Sequence, residues 1–270
     1  MASQQLQLNI GWLYPKLMST YGDRGNAICI QQRALWRGYN VEIIPIDTEA
    51  TIADIEGVDV IVGGGAQDRQ QEIVMRDLKG SKASALKAKL DSGTPGVFTC
   101  GSPQLLGHYY EPALGQKIEG LGLLDLVSKH PGIEANRCIG NVVFEIVASK
   151  LAEDLRKTLG EVPLIIGFEN HGGRTYLGKV EALGKVVKGY GNNGEDGTEG
   201  AFYNNAIATY SHGPLLPKNP FLADWLIKTA LSEKYQTEIE LTPLDDTLAM
   251  QARTAMFKRL GVNNSERMAS

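Results

Sequence analysis

The sequence holds no uncharged apolar run of the roughly 18–20 residues that a membrane-spanning helix needs, so no transmembrane segment is expected. Its first residues, MASQQLQLNIGWLYP, lack a basic stretch followed by an apolar one, which argues against a secretory signal peptide. Cysteine is scarce, with only Cys29, Cys100 and Cys138. Three thiols cannot all pair, no CxxC spacing occurs, and no Cys/His cluster exists. A disulfide framework and a metal site are therefore not expected, and a reducing cytoplasm fits. Positive charge is not in excess: 27 Lys and Arg stand against 31 Asp and Glu, which leaves no broad basic face for nucleic acid. The phosphate-cradling pattern G-x-x-x-x-G-K-[ST] is missing, and Gly63-Gly64-Gly65 lacks the G-x-G-x-x-G spacing of a dinucleotide site. The chain has no evident seat for ATP, and no cofactor is expected in it. Internal repeats and low-complexity segments are also lacking.

What is present reads as an α/β fold. Short apolar strands at 6–13, 41–46, 58–62 and 95–99 alternate with helical patterns at 26–37, 69–90 and from Pro103 on. In the first helix Ile28, Leu35 and Trp36 read as the apolar side. The strand Val41–Ile46 is expected to stop around Pro45 and Asp47. This alternation predicts a flavodoxin-like, open, mostly parallel sheet with helices on both faces. The second half changes character, with strands at 138–147, 162–168, 185–190 and 206–210 separated by glycine-rich turns, and Gly191–Gly200 read as an exposed loop. A helix over 219–234 closes the main domain, 1–234. Residues 235–270 form a C-terminal tail with one amphipathic helix and a frayed VNNSERMAS end.

The segment Val97-Phe98-Thr99-Cys100-Gly101-Ser102-Pro103-Gln104 carries the most chemistry. A buried strand runs into a cysteine, then a glycine, then a helix, the layout of a nucleophile elbow. The helix N-terminus favours a thiolate, and the Gly101 N–H points where an oxyanion would develop. Cys100 also reads as a small buried hydrophobe, as most free cysteines are. A nucleophile needs a base. His212, at the end of the strand Ala206–Tyr210, has the best setting, because open α/β sheets place their sites at carboxyl ends of strands. His171 is the rival. His108, read as lying on the same helix as Cys100, is two turns too far, and His130 sits in a loop. Gly63-Gly64-Gly65 allows close backbone approach and offers a second oxyanion donor.

Six blocks together carry a resemblance: Tyr21-Gly22-Asp23-Arg24-Gly25-Asn26; Val62 to Asp68; Cys100 with Gln104-Leu105-Leu106-Gly107; Arg137 with Gly140-Asn141; Gly167 to Arg174; and Ser211 to Pro220. Over roughly residues 8–231 the chain resembles the class I glutamine amidotransferases, in their cobyric-acid-synthase-like branch. The resemblance implies that Cys100 is the nucleophile and His212 the base, with Gly64 or Gly65 and Gly101 lining the oxyanion hole. It further implies that Arg137 holds the carboxylate of L-glutamine, with Gln104 also binding substrate. A guanidinium fork suits a carboxylate. Two departures stand out. Phe98 and Ser102 occupy the positions where many members carry glycine beside the cysteine. Pro214 replaces the glutamate of the usual His-x-Glu, so an acid from a partner chain, or another local group, is expected to orient His212.

The resemblance also implies a partner. Ammonia released from glutamine needs an activated acceptor, and ATP with magnesium belongs on a MurT-like Mur-ligase subunit in a heterodimer. That subunit would amidate the D-glutamate of lipid II to D-isoglutamine for peptidoglycan synthesis, at the inner face of the membrane. Alternatives are a stand-alone cysteine hydrolase on the same fold, a non-catalytic scaffold with an inert Cys100, and an amidotransferase for another acceptor such as a corrinoid carboxylate.

Overall fold

A computed structural model describes residues 5–262. Most of the expected frayed end, from Asn263 on, lies outside the described residues. The first half runs β1 (Gln7–Leu13), α1 (Arg24–Leu35), β2 (Asn40–Ile46), α2 (Ile52–Glu56), β3 (Val60–Gly63), α3 (Asp68–Leu78), α4 (Ser81–Asp91), β4 (Gly96–Thr99) and α5 (Gly101–Leu106). Then come β5 (Tyr109–Glu111), β6 (Ile118–Glu119), β7 (Leu126–Lys129), β8 (Cys138–Ile146), α6 (Ser149–Leu159), β9 (Ile165–His171), β10 (Arg174–Leu177) and β11 (Gly184–Lys188). The chain continues through β12 (Thr198–Glu199), β13 (Ala201–Tyr203), β14 (Ala206–Thr209), β15 (Ser211–His212), α7 (Leu215–Lys218), α8 (Pro220–Tyr235) and α9 (Thr247–Leu260).

The central sheet has the order β13-β14-β4-β3-β1-β2, parallel throughout except at β13. Without that antiparallel edge, the order is the doubly wound flavodoxin one. Successive side chains alternate between two cores, as strand geometry requires. Val60, Val62, Val97 and Ile207 face the cluster beneath α1 and α8, while Ile61, Phe98 and Ala208 face α3 and α4. Each fully buried aliphatic such as Leu226 contributes roughly 1.5–3 kcal/mol of apolar burial. The parallel strands end in loops at one edge, and Cys100 follows β4 there.

Much of the second half belongs to two further sheets, β10-β7-β5-β6 and β12-β11-β8-β9-β15. The chain leaves the central sheet after Thr209 and enters the five-stranded sheet at Ser211, where His212 pairs with Phe168. This crossing carries His212 over the end of β4.

Three local expectations are corrected and one strand is met. On α1, Ile28, Leu35 and Trp36 are exposed, and the buried side is Asn26, Ala27, Ile30, Arg33 and Ala34. Arg33 and Asn26 are buried because they bond other parts of the chain, which hides that face from a hydrophobic pattern. Strand β2 runs Asn40–Ile46, as expected from 41–46 with one residue added at its start, and Pro45 is tolerated inside it because β2 is an edge strand. Helix α5 ends at Leu106, so His108 lies beyond it and pairs with Asp125 at 2.9 Å. The Gly191–Gly200 segment is not an open loop: Asn192, Asn193 and Glu199 are buried, and the Asn192 side chain bonds both ways with Gly200.

Candidate active site

Cys100 sits at the turn between β4 and α5 with φ 54° and ψ −97°. A positive φ is costly for a residue with a side chain and is kept where the surroundings impose it. Here the Cys100 N–H donates to the Thr209 carbonyl at 2.8 Å, tying the elbow to β14. The two non-glycine residues flanking the cysteine are accommodated. Phe98 packs against Gly63 and Gly96, where any Cβ would come within 3.0 Å of its ring. Ser102 donates to the Gly64 carbonyl at 2.7 Å and pins the glycine turn to α5.

The structure brings His212 to this turn. An imagined Cβ on Gly65 would lie 3.0 Å from His212 Cε1, 3.3 Å from Cys100 Cβ and 3.4 Å from Asp23 Oδ2, so three side chains converge on one glycine. His212 Nδ1 lies 3.0 and 3.1 Å from the two carboxylate oxygens of Asp23. Both residues are buried. The acid that orients His212 is thus in this chain, at Asp23, and takes the place left by Pro214. A carboxylate only accepts, so Nδ1 carries the proton and Nε2 is free to serve the sulfur. Nε2 is buried with no hydrogen-bond partner among the described residues. Tyr21 meets the imidazole edge-on, with ring centroids 5.0 Å apart. Burial alone would lower the imidazole's pKa. The negative charge of an ionised Cys100 and the Asp23 hydrogen bond outweigh it and push His212 up to about 10, so an imidazole that has taken the thiol proton keeps it beside the thiolate.

Asp23 also accepts from the Gly65 N–H at 2.8 Å. That bond corrects the expectation for Gly65, whose donor is taken by Asp23. Gly64 is packed against the Met18 carbonyl and faces that segment. Gly101 lies at the first turn of α5, where helix geometry leaves N–H groups unpaired, and the Ala66 amide nitrogen lies 2.9 Å from where a Gly101 Cβ would stand.

A cavity of about 330 Å³ opens over Cys100. Gln104, Arg137, His130, His171 and Asn170 line it with Tyr21 and Ala66. Arg137 is held by Asn170, its Nε donating to Oδ1 and its Nη2 to the backbone oxygen, both at 3.0 Å. Gln104 is buried, accepts from Gln71 Nε2 at 2.9 Å and donates to Tyr210 Oη at 3.1 Å. Its amide keeps one hydrogen and one lone pair for a ligand. The rival base His171 lines the same cavity but is stacked on Tyr210, with centroids 3.7 Å apart, and its Nδ1 donates to the Gly173 carbonyl at 2.7 Å. Burial lowers its pKa. Sequence reasoning missed the roles of Asp23, Tyr210 and Gln71. The Tyr21-Gly22-Asp23 block was the one signal for Asp23.

The model of the CobB/CobQ-like glutamine amidotransferase domain matches residues 9–220. The chain belongs to that family. It is 36% identical over 242 residues to the GatD subunit of lipid II isoglutaminyl synthase (glutamine-hydrolyzing) from Staphylococcus aureus, covering 90% of this chain and 91% of that one. It is 37% identical over 246 residues to the GatD subunit of Streptococcus pneumoniae, covering 91% and 88%. Among solved structures, the glutaminase domain of Trypanosoma brucei CTPS superposes with a TM-score of 0.52 over 87% of this chain and 96% of that one, at 12% identity. That likeness reports the fold. No helix among the described residues is long and apolar enough to cross a membrane. No group of three or more His, Cys, Asp or Glu among them is placed to hold a metal ion.

Proposed function

We propose that this chain is the glutaminase subunit of a lipid II isoglutaminyl synthase. Its closeness to two GatD subunits over nine-tenths of its length supports the reading. The observation that carries it is the convergence of Cys100, His212 and Asp23 around Gly65, with Cys100 opening onto a cavity that Arg137 also lines.

The chemistry follows from the donors and acceptors. The thiol proton of Cys100 passes to His212 Nε2, and the sulfur attacks the side-chain amide carbon of L-glutamine. The oxyanion takes hydrogen bonds from the N–H groups of Gly101 and Ala66, fixed donors that need no reorganisation as the charge develops. Asp23 holds the imidazolium that forms. His212 returns its proton to the leaving nitrogen, the C–N bond breaks and ammonia departs. Water, deprotonated by His212, then cleaves the γ-glutamyl thioester and releases glutamate. Arg137, preset by Asn170, holds the substrate carboxylate, and Gln104 supplies a polar contact on the cavity wall.

Ammonia in bulk water is protonated and lost to the reaction, so the acceptor must be reached from this cavity directly. The acceptor carboxylate is activated by a MurT-like, ATP- and magnesium-using ligase subunit in a heterodimer. The product is D-isoglutamine in lipid II, formed in the cytoplasm at the inner face of the membrane. Arg137 beside the cysteine disfavours a general cysteine hydrolase, which has no use for a carboxylate clamp. The test is Cys100→Ser in the two-subunit complex. Amidation of lipid II driven by glutamine is expected to vanish while amidation driven by ammonium salts persists. Loss of both, in a folded complex, contradicts the division of labour.

A further inference from the structure

The family match ends at residue 220, yet the segment beyond it is tied to the catalytic loop from two sides. The first tie starts at Arg253 on α9, which is buried. Its Nη1 donates to the Lys218 carbonyl at 2.8 Å and to Asn219 Oδ1, and its Nη2 to the Leu164 carbonyl at 2.6 Å. Phe221 and Phe257 flank the guanidinium at 5.0 and 5.3 Å. Three acceptors in fixed directions suit the planar fork of an arginine better than the point charge of a lysine. Lys218 in turn reaches back to the Gly213 and His212 carbonyls through its Nζ. Asn219 bonds both backbone groups of Ile166, two residues from Phe168, the β9 residue that pairs with His212.

The second tie is Asp246, at the start of α9. It accepts from Arg33 Nη1 and Nη2 at 2.6 and 2.8 Å. Arg33 lies on α1, the helix that opens one residue after Asp23. The same helix holds α7 directly, through Asn26 Oδ1 accepting from the Leu216 N–H at 2.9 Å, and Gly25 packs on Pro214. The segment from Asp246 to Arg253 therefore links α1, which Asp23 immediately precedes, to Lys218 and Asn219 at the end of the α7 turn that follows His212.

We propose that Arg253, seated by the Asp246–Arg33 pair, is a positioning residue that sets His212 against Asp23 and Cys100. An imidazole displaced by about 1 Å forfeits a large part of its rate contribution without affecting how substrate binds. Arg137 and Gln104 lie on other elements, so the two properties separate. This inference rests on the proposed glutaminase chemistry.

The experiment compares glutamine hydrolysis by full-length Arg253→Met, Arg253→Lys and Asp246→Asn with wild type, alone and with the ligase subunit. Leu155→Ala, a core truncation in α6, serves as the control for lowered melting temperature. Arg253→Met is expected to lower kcat by about tenfold or more with KM within about twofold. Arg253→Lys is expected to recover part of the loss, and Asp246→Asn to give a smaller loss of the same kind. Alkylation of Cys100 by iodoacetamide, followed by peptide mass, is expected to slow in the same order. Unchanged kcat and alkylation in the Arg253 variants overturn the inference, as does an equal kcat loss in Leu155→Ala. Wild-type chain that does not hydrolyse glutamine overturns the functional reading instead, and the alkylation rates still decide this one.

Discussion

Asp23 and His212 stand 189 positions apart in the chain and 3.0 Å apart in the fold. The pairing replaces the acid missing after His212 with one from the segment before α1. Asp23→Asn keeps the shape but offers Nδ1 a side chain that can present a donor, which favours the wrong tautomer. The expected result is a fall in kcat for glutamine of about 100-fold or more, with KM little changed. Steady-state glutamate release checks it, and a kcat within a few-fold of wild type argues for an acid from the partner.

Gly65 sits where its missing side chain would touch His212, Cys100 and Asp23, the proposed catalytic groups. Its φ is outside the glycine-only region, so alanine fits the backbone there. Gly65→Ala is expected to fold with a near-normal melting temperature yet lose about 100-fold in kcat, because the methyl group pushes the imidazole from the sulfur. A normal kcat contradicts the crowding around this position.

Much of this was legible beforehand. The parallel sheet was readable because its strands are short apolar runs bounded by glycine and buried on both faces, as at Val60–Gly63 and Gly96–Thr99. That Cys100 and His212 meet was readable from their strand-end positions. Asp23 did not, because nothing local to Tyr21-Gly22-Asp23 states which strand end it will face. The apolar side of α1 was misread because its buried face is partly polar, with Arg33 and Asn26 satisfied by residues nearly 200 positions away. The buried Asn192 and Glu199 looked like loop residues because a chain rich in Gly and Asn has the same composition whether it is exposed or folded onto a sheet.

Arg137 makes two bonds to Asn170, which leave part of its fork to face the cavity. Arg137→Ala is expected to raise KM for glutamine by about tenfold or more, with a smaller change in kcat. Initial-rate kinetics over a range of glutamine concentrations separate the two. A pure kcat effect argues against carboxylate binding.

Glu199 is fully buried, and burial pushes its carboxyl up to about 7, against the lowering effect of its bond from Thr209. Its Oε2 has no partner among the described residues. The folded state therefore holds a proton that the unfolded chain gives up near pH 4.5. This contribution to stability is fully present below about pH 4.5 and is lost as pH rises through about 7, amounting to a few kcal/mol at most. Glu199→Gln removes the titration and keeps an acceptor for Thr209 and Tyr210. Between pH 5 and 8 the melting temperature of the variant is expected to fall less steeply than that of wild type. Parallel curves contradict the assignment.

The account depends on one sulfur forming a bond to the substrate. Rapid acid quenching of the complex during glutamine turnover, followed by peptide mass analysis, looks for that bond. The predicted result is a γ-glutamyl thioester on the peptide carrying Cys100, absent in Cys100→Ser. Steady glutamine turnover by Cys100→Ser, or an adduct on Cys29 or Cys138 instead, contradicts it.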